Sequence, residues 1–111
     1  MELPFISVII AARNEARFIG PCLDSILASD YPAERMEILV ADGMSEDETR
    51  ELALRRAPRV RVIRNAARST PCGLNLAIER ARGEIIVRVD AHATVARDYL
   101  AGCLRWLEET G

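Results

Sequence analysis

The stretch Glu37-Ile38-Leu39-Val40-Ala41-Asp42-Gly43 decides the fold of this chain. Four consecutive apolar residues without polar alternation are typical of a short strand that is buried on both faces of a sheet. Similar short runs occupy residues 5–10, 60–63 and 84–89. The sequence therefore predicts four short strands, the second of which ends at Ala41.

Segments with helical periodicity separate these strands. Apolar side chains recur at spacings of three and four between residues 18 and 27, and again between residues 99 and 107 after a predicted N-cap at Asp98. Two more helices are predicted after strands two and three, and this alternating order implies parallel pairing with right-handed crossovers. We therefore predict an α/β fold for residues 1–111: one domain with an open, doubly wound, mostly parallel four-stranded sheet and flanking helices.

Local signals mark the ends of the two middle helices. Ser45-Glu46-Asp47-Glu48 predicts a capping box, with Ser45 as N-cap and Glu48 reaching back, for a helix that runs to about Ala57. Thr70 before Pro71 predicts the next N-cap, and Gly83 is predicted to end that helix in a left-handed conformation. This helix is expected to bury Leu74, Ile78 and Ala81.

Polar residues follow each of the four predicted strands. In open α/β sheets ligands bind beyond the carboxyl ends of the strands. We therefore expect these residues to meet on one rim of the sheet and to form a pocket there. They are Arg13, Asn14 and Glu15 after strand one, Asp42 and Gly43 after strand two, Arg64, Asn65 and Arg68 after strand three, and Asp90 and His92 after strand four.

The pair Asp90-Ala91-His92 is a candidate metal site. Two residues at positions i and i+2 of an extended segment point the same way, so together they can hold a divalent cation against a diphosphate. A carboxylate suits Mg²⁺ or Mn²⁺, and an imidazole shifts the preference toward Mn²⁺. The alternative is structural, with Asp90 as a turn former and His92 as a solvated loop residue.

The other rim residues also allow two interpretations. Asp42 can accept a hydrogen bond from a base or a ribose while Gly43 lets a flat ligand approach, or the two residues can simply form a turn. Glu15, expected at the start of the first helix, can line the site or complement the helix dipole. Arg64 and Arg68 can face phosphate oxygens or serve as ordinary surface charges.

Composition excludes several classes of protein. The formal net charge is −2, with 15 basic residues, all of them arginine, against 17 acidic ones, which does not fit a nucleic-acid-binding surface. The three cysteines are widely spaced and unpaired, so we interpret them as small buried side chains in a reducing compartment. The sequence shows no secretory signal, and its longest apolar stretch is too short to span a bilayer.

Four motifs resemble family-2 glycosyltransferases of the GT-A type, in the same order and over nearly the whole chain. Asp90-Ala91-His92 stands where that family has its D-x-D motif, and the form of residues 88–93 is most similar to bacterial exopolysaccharide transferases of the succinoglycan type. The other three are Ser7-Val8-Ile9-Ile10 with Arg13-Asn14-Glu15, the segment from Val40 to Thr49, and Gly73-Leu74-Asn75 with Ala81-Arg82-Gly83-Glu84-Ile85-Ile86.

The resemblance implies a role for each rim segment. The segment from Ala11 to Glu15, including Arg13 and Asn14, would line the base pocket, and Asp42 beside Gly43 would contact the base, usually uracil. Asp90 would contact the ribose or the metal region, and His92 would face Mn²⁺ or Mg²⁺ on the diphosphate. Two departures stand out: Ala41 precedes Asp42 where many members have a second acid, and His92 replaces the second aspartate of the D-x-D motif.

The resemblance also implies a reaction. A member of this family transfers a sugar from a nucleoside-diphosphate sugar, here a UDP-sugar, to a glycan or lipid-linked acceptor. It would act in the cytoplasm at the inner face of the plasma membrane, reached through a part outside this chain. No segment of the 111 residues matches the half that holds the acceptor and the general base, so we expect no catalytic residue and no activity in this piece, and self-association through the surface that the other half would cover.

Two other kinds of domain have a similar outline. Receiver-like signalling domains are short and doubly wound, but they need a lysine and an acidic pair after strand one, and this chain has neither. A non-catalytic nucleotide-binding domain stays open as an alternative. The glycine-rich loops that bind dinucleotides or ATP are absent after strand one.

Overall fold

The computed structural model describes residues 3–110 as strands and helices in alternation. The elements are β1 (Ile6–Ala12), α1 (Ile19–Leu27), a 3₁₀ turn (Ala33–Arg35), β2 (Met36–Asp42), α2 (Thr49–Leu54), β3 (Val60–Arg64), α3 (Thr70–Arg80), β4 (Ile85–Arg88) and α4 (Tyr99–Thr110). The central strands β1 and β2 run one or two residues further than the sequence predicts, because each has a hydrogen-bonded neighbour on both sides. Among the strands of residues 3–110, β4 pairs with β1 alone, and it is shorter than predicted.

The four strands form one parallel sheet in the order β3-β2-β1-β4. The register aligns the carboxyl ends of three strands, since Ala12 lies opposite Asp42 and Asp42 lies opposite Arg64. On the other side Ile9 lies opposite Arg88, so the residues that follow β4 continue along the end of β1. The predicted α/β fold, with a four-stranded parallel sheet between helices, is confirmed.

Helices cover both faces of the sheet. On one face α1, α2 and α4 pack against the larger apolar cluster, which includes Ile10, Leu23, Val40 and Leu100. On the other face α3 packs on β1 and β2 over a small cluster of Ile9, Leu39, Ile63 and Ala77. Removing this apolar surface from water is the main term that stabilises the fold. None of the helices in the described part of the chain is long and apolar enough to cross a membrane.

The predicted capping box before α2 is wrong. α2 begins at Thr49, four residues after Ser45, and Glu48 makes no capping hydrogen bond through its side chain. The Ser45 hydroxyl instead donates to Asp42 Oδ1 at 2.6 Å, and Asp47 Oδ1 accepts from the Thr49 backbone N–H at 3.0 Å. The start of α2 is therefore organised by Asp47, because Ser45 is already bound to the end of β2.

The predicted ends of α3 also need correction. Ser69 is the N-cap in place of Thr70, and its hydroxyl accepts from the Cys72 backbone N–H at 3.3 Å. Gly83 does not have a positive φ, and α3 already ends at Arg80. A glycine is needed at position 83 for a different reason: a Cβ there would lie 2.6 Å from the backbone nitrogen of Ser7.

The buried face of α3 differs from the predicted one. Gly73 and Ala77 are the buried residues of this helix, whereas Ile78 is 48% exposed. Leu74 and Ala81 are half-buried. Small side chains face the sheet because α3 packs closely on β1 and β2. The cysteines likewise differ from one another: Cys22 is buried as predicted, but Cys72 is exposed and Cys103 is half-buried.

Buried polar residues stabilise the opposite end of the sheet. Glu37 is 6% exposed and accepts hydrogen bonds from the Ser7 hydroxyl at 2.6 Å and from the Arg82 backbone N–H at 2.7 Å. Burial by itself would raise the pKa of Glu37, but the Arg82 backbone, the Ser7 hydroxyl and the Arg82 guanidinium hold that pKa below its ordinary value. The carboxylate thus ties β1 and β2 to the segment between α3 and β4.

Candidate functional site

Four of the residues predicted for the rim, Arg13, Glu15, Asp90 and His92, lie around one cleft, here called the His92 cleft. It has a volume of about 290 Å³ and lies where the end of β1 faces the residues after β4. Glu15 approaches from the β1 side, and Asp90 and His92 approach from the β4 side. The lining residues are Ala11, Arg13, Glu15, Thr70, Leu74, Arg88, Val89, Asp90, Ala91 and His92.

Glu15 and His92 face each other across this cleft. His92 Nδ1 lies 3.6 Å from Glu15 Oε2, and the Phe18 ring meets the imidazole edge-on, with the ring centroids 6.4 Å apart. The His92 side chain is 62% exposed and that of Glu15 is 26% exposed. Residues 77 positions apart in sequence are thus brought together, as the parallel sheet predicts. Asp90, whose side chain is 60% exposed, lies at the same mouth.

A pair of interlocked loops positions Glu15. Its backbone N–H donates to Thr49 Oγ1 at 2.7 Å, the N–H of Ala16 donates to Asp47 Oδ2 at 3.1 Å, and the N–H of Asn14 donates to Ser45 Oγ at 2.9 Å. The sequence predicts Glu15 at the start of the first helix, and this is wrong, because α1 begins four residues later at Ile19. The loop after β2 therefore holds the loop after β1 in place, and this is what directs Glu15 toward His92.

Asp42 lies elsewhere on the rim. The residue is 4% exposed, and both carboxylate oxygens accept hydrogen bonds from Ser45, one from the hydroxyl and one from the backbone N–H. Asp42 lines a second cleft of about 330 Å³ together with Met44, Ser45, Arg50 and Arg64. The structure therefore does not bring Asp42 into the His92 cleft.

Gly43 and Arg13 connect the two clefts. The Arg13 Nε donates to the Gly43 carbonyl at 2.9 Å, and the Gly43 N–H donates to the Ala12 carbonyl at 2.8 Å. A Cβ on Gly43 would lie 2.9 Å from the Arg68 carbonyl oxygen, so only glycine fits between these loops without a shift. The hydrogen bond from Arg13 Nε to the Gly43 carbonyl fixes the Arg13 side chain at the border of the His92 cleft.

Three residues with positive φ lie on the same rim. They are Asn14 (φ 54), Met44 (φ 62) and Arg68 (φ 69), and each one follows a different strand. Asparagine tolerates this conformation, whereas methionine and arginine adopt it rarely. Such backbone strain persists where the surrounding contacts enforce it and is concentrated at functional sites. Its position marks the rim as the candidate site independently of the polar side chains.

The polar group after β3 does not enter the His92 cleft. The Arg64 Nε donates to the sulfur of Met44 at 3.3 Å, next to Asp42. Asn65 is 1% exposed, and its Nδ2 donates to the Ser69 carbonyl at 2.9 Å. Asn65 therefore holds the loop that leads into α3.

Cys22 supports Asp90 from the buried side. The thiol donates to the Asp90 backbone carbonyl over 3.5 Å. Burial, with the charges of Asp90 and Glu15, raises the pKa of Cys22 from 9.0 to about 11. Cys22 is therefore a protonated hydrogen-bond donor at neutral pH and not a nucleophile.

Sequence reasoning missed five lining residues of the His92 cleft: Thr70, Leu74, Arg88, Val89 and Ala91. The alternation of apolar Val87 and Val89 with charged Arg88 was a signal available in the sequence. For Thr70 and Leu74 no such signal exists, because only the packing of α3 against β1 brings them to the cleft. A neighbouring cleft of about 440 Å³ shares Arg88, Val89 and Asp90 and extends to Tyr99.

Comparison with known proteins identifies the family. Residues 7–111 match the model of glycosyl transferase family 2. The succinoglycan biosynthesis protein ExoA of Rhizobium meliloti is 34% identical over 107 residues, which cover 92% of this chain and 31% of that protein. The chain spans between about a fifth and just over a third of the length of the curated relatives compared with it. The receiver-like and non-catalytic alternatives are not favoured.

Solved structures confirm the fold. A mannosyltransferase from Pyrobaculum calidifontis, solved in complex with GDP-Man and Mn²⁺, is 36% identical and matches with a TM-score of 0.87 over 94% of this chain and 32% of its own.

Another relative is a glucuronosyltransferase of Methanococcus voltae that acts on a dolichyl N-acetylglucosaminyl phosphate; it is 33% identical over 86% of this chain and 32% of its own length. From its motifs, its sheet and these matches, the chain belongs to glycosyl transferase family 2.

Proposed function

We propose that this chain binds a nucleoside-diphosphate sugar in the His92 cleft, with a UDP-sugar as the first candidate. The observation that carries the proposal is the meeting of Glu15, Asp90 and His92 at one cleft between the ends of β1 and β4. In the whole protein, the bound sugar would be transferred to a glycan or lipid-linked acceptor. Family membership supports this reaction class, because the mannosyltransferase and the glucuronosyltransferase named above are transferases.

The residues around the cleft fit a divalent cation that is shared with the ligand. Within residues 3–110 no three His, Cys, Asp or Glu side chains gather closely enough to hold a metal ion on their own. Asp90 and His92 supply one oxygen and one nitrogen donor, a set that suits Mn²⁺, and diphosphate oxygens would complete the coordination. The cation would neutralise the negative charge that develops on the departing nucleotide. Glu15, near His92 Nδ1, would orient the imidazole.

Two arginines are placed to bind the anionic part of the donor. Arg13 and Arg88 line the cleft on opposite sides, with side chains that are 36% and 59% exposed. Guanidinium groups bind phosphate oxygens through paired N–H donors. Arg13 is already held by the Gly43 carbonyl, so it requires little ordering when a ligand binds.

The contact of Asp42 with the base stays a prediction. Both of its oxygens already accept hydrogen bonds from Ser45, so a base would have to share or displace them. The alternative role is structural, since Asp42 through Ser45 holds Asn14 and the loop after β1. Asp42→Asn and Ser45→Ala separate these roles: a purely structural Asp42 predicts that both variants weaken nucleotide binding, whereas a base contact predicts a larger loss for Asp42→Asn.

Amide NMR of the folded chain tests the nucleotide proposal. UDP with Mg²⁺ should shift resonances centred on residues 11–15, 42–43 and 90–92, and traces of Mn²⁺ should broaden residues 90–92 most strongly. GDP and CDP are the matched controls, and GDP matters most because the archaeal mannosyltransferase was solved with GDP-Man. Tighter binding of GDP than of UDP would overturn the uracil preference, and a well-folded sample with no shift at the rim would overturn the proposal.

The metal role has its own test. His92→Ala should weaken UDP binding in the presence of Mn²⁺ and leave metal-free binding nearly unchanged, since the imidazole is proposed to act through the cation. Arg97→Ala is a matched control, because Arg97 is exposed in the next loop and pairs with Asp30 outside the cleft. Equal losses for His92→Ala with and without metal would contradict the assignment.

Three further expectations stay predictions. They are the cytoplasmic location at the inner face of the plasma membrane, the glycan or lipid-linked acceptor, and the lack of transfer by these 111 residues alone. The last is tested by incubating the chain with UDP-sugars, Mn²⁺ and lipid acceptors and following the release of UDP. Turnover above that of a His92→Ala, Asp90→Ala double variant would contradict it.

A further inference from the structure

A chain of hydrogen bonds, here called the Asp47 relay, runs from Asp47 through Thr49 to Glu15. The Thr49 hydroxyl donates to Asp47 Oδ1, and Thr49 Oγ1 accepts the Glu15 backbone N–H at 2.7 Å. Because a hydroxyl has one proton and Asp47 accepts it, the Thr49 oxygen presents lone pairs to Glu15. The Thr49 hydroxyl holds the pKa of Asp47 below its ordinary value, so this carboxylate is ionised at neutral pH and only accepts. Thr49 is fully buried, so water does not compete for these bonds.

A second relay of the same form ends at a different residue. The Ser45 hydroxyl donates to Asp42 Oδ1, and Ser45 Oγ accepts the Asn14 backbone N–H at 2.9 Å. The Asn14 side chain adds a bond of its own, because its Oδ1 accepts the Glu46 backbone N–H at 2.8 Å. Loss of the Asp47 relay would therefore leave the two loops joined at Asn14 and release only the part that follows it.

The Asp47 relay determines the surroundings of His92. The Glu15 carbonyl accepts the N–H groups of Phe18 and Ile19 at 2.9 and 2.8 Å, so Glu15 also sets the start of α1. The Glu15 carboxylate lies 3.6 Å from His92 Nδ1, and the Phe18 ring lies edge-on to the imidazole. Since 62% of the His92 side chain is exposed, these two neighbours are what orients the imidazole.

We propose that Asp47 is a positioning residue for the cation side of the cleft. It acts through the Thr49 hydroxyl, which fixes Glu15 against His92. Asp47 itself is exposed on the loop after β2 and is not among the residues that line the His92 cleft. The consequence for a bound cation rests on the function proposed above, because the outer partners of a ligating imidazole influence metal affinity.

NMR of the ligand-free chain tests the geometry. The Glu15 amide proton should resonate downfield because its hydrogen bond to Thr49 is short, and nuclear Overhauser contacts should connect the Phe18 and His92 rings. Thr49→Val has nearly the same shape but no hydroxyl, so it should move the Glu15 amide proton upfield and weaken the ring contacts. Thr49→Ser keeps the hydroxyl and should preserve both signals. Circular dichroism of each variant checks that it is folded.

Asp47→Ala tests the carboxylate itself. Without its acceptor the Thr49 hydroxyl is free to rotate, so the Glu15 amide proton should move upfield as it does in Thr49→Val. The double variant should change this signal little more than the larger single change, because both substitutions interrupt the same relay. Glu48→Ala is the matched control: it removes an equal charge from the same loop, and Glu48 makes no capping bond through its side chain. It should leave the Glu15 amide proton and the ring contacts unchanged.

Titration with UDP tests the consequence for the cation. Thr49→Val and Asp47→Ala should weaken UDP binding roughly fivefold in Mn²⁺ and less than about twofold without metal, a smaller effect than that expected for a direct partner of a ligating imidazole. Equal losses with and without metal overturn the proposal, as do unchanged Glu15 and ring signals in a folded Asp47→Ala or a Thr49→Ser that behaves like Thr49→Val. If the unmodified chain does not bind UDP, the proposed function fails, and the ligand-free signals still decide the role of Asp47.

Discussion

The buried carboxylate of Glu37 offers the sharpest test of how this sheet is held together. It accepts hydrogen bonds from Ser7 and from the Arg82 backbone, and both Arg82 Nε and Arg61 lie within 3.4 Å of its Oε1. Glu37→Ala leaves a buried hydroxyl and a backbone N–H without their acceptor. Hydrogen bonds to a charged group contribute about 1.5–3 kcal/mol each. Part of this loss is offset, because the exposed arginine side chains form hydrogen bonds with water once the carboxylate is removed. We expect a loss of about 2–4 kcal/mol in the free energy of unfolding.

Urea and thermal unfolding followed by circular dichroism measure this loss. In a domain of this size it corresponds to a fall in Tm of roughly 10 °C or more. Glu34→Ala is the matched control, because Glu34 is an exposed acid on the adjacent 3₁₀ turn, and it should change stability by less than about 0.5 kcal/mol. If Glu37→Ala costs no more than this control, the carboxylate does not hold β1, β2 and the α3–β4 segment together.

The pH dependence gives a second measurement of the same group. The pKa of Glu37 is lower in the folded chain than its ordinary value of 4.5, so its contribution is fully present above pH 4.5 and is lost as the pH falls through the folded pKa. Glu37→Gln should therefore be less stable than the unmodified chain at pH 7, and the difference should shrink below pH 4. A constant difference from pH 7 to pH 3 would refute the assigned ionisation.

The packing gives four other predictions. At pH 7.5 iodoacetamide should modify exposed Cys72 and leave Cys22 unmodified in the native chain, as mass spectrometry of the peptides would show; equal labelling would contradict the burial. Because the pKa of Cys22 is raised to about 11, its contribution to stability should be constant below pH 9 and fall between pH 9 and 11, a slope that Cys22→Ala removes. Gly83→Ala should lower the free energy of unfolding in urea by about 1–3 kcal/mol, since the new Cβ would lie 2.6–2.8 Å from backbone atoms. An unchanged free energy of unfolding would mean that β1 shifts freely. Arg56→Ala should lower the free energy of unfolding by only about 1 kcal/mol in the same assay, although Arg56 donates two hydrogen bonds to Asp24. The reason is that the Asp24 side chain is 62% exposed to water. A loss above about 3 kcal/mol would show that this pair is shielded from water.

The site combines a rigid half with an exposed half. Glu15 and Arg13 are fixed by the interlocked loops after β1 and β2, whereas Asp90 and His92 extend from the short edge strand β4 with side chains about 60% exposed. A cation and a diphosphate would therefore mainly order the β4 side. NMR shifts of residues 90–92 should accordingly be larger on addition of metal and UDP together than of UDP alone.

The order of the elements and the rim on which the polar residues meet could both be predicted from local sequence patterns. Short apolar runs that alternate with helical segments are typical of a parallel sheet with helices on both faces, and parallel strands place all residues that follow them at one edge. Glu15, Asp90 and His92 were found in this way, and they do share a cleft.

The tertiary structure decided which rim residues meet and which merely support the others. Ser45 and Glu48 fit a capping box by local spacing. In the structure the hydroxyl of Ser45 instead donates to Asp42 and accepts a hydrogen bond from the backbone N–H of Asn14, in the loop after β1. Asp42 follows a strand just as Asp90 does, yet its oxygens are held by Ser45 in a separate cleft. Local sequence fixes backbone propensity and periodicity, whereas the partner of a polar side chain depends on which distant loop packs against it, and only the folded sheet brings those loops together.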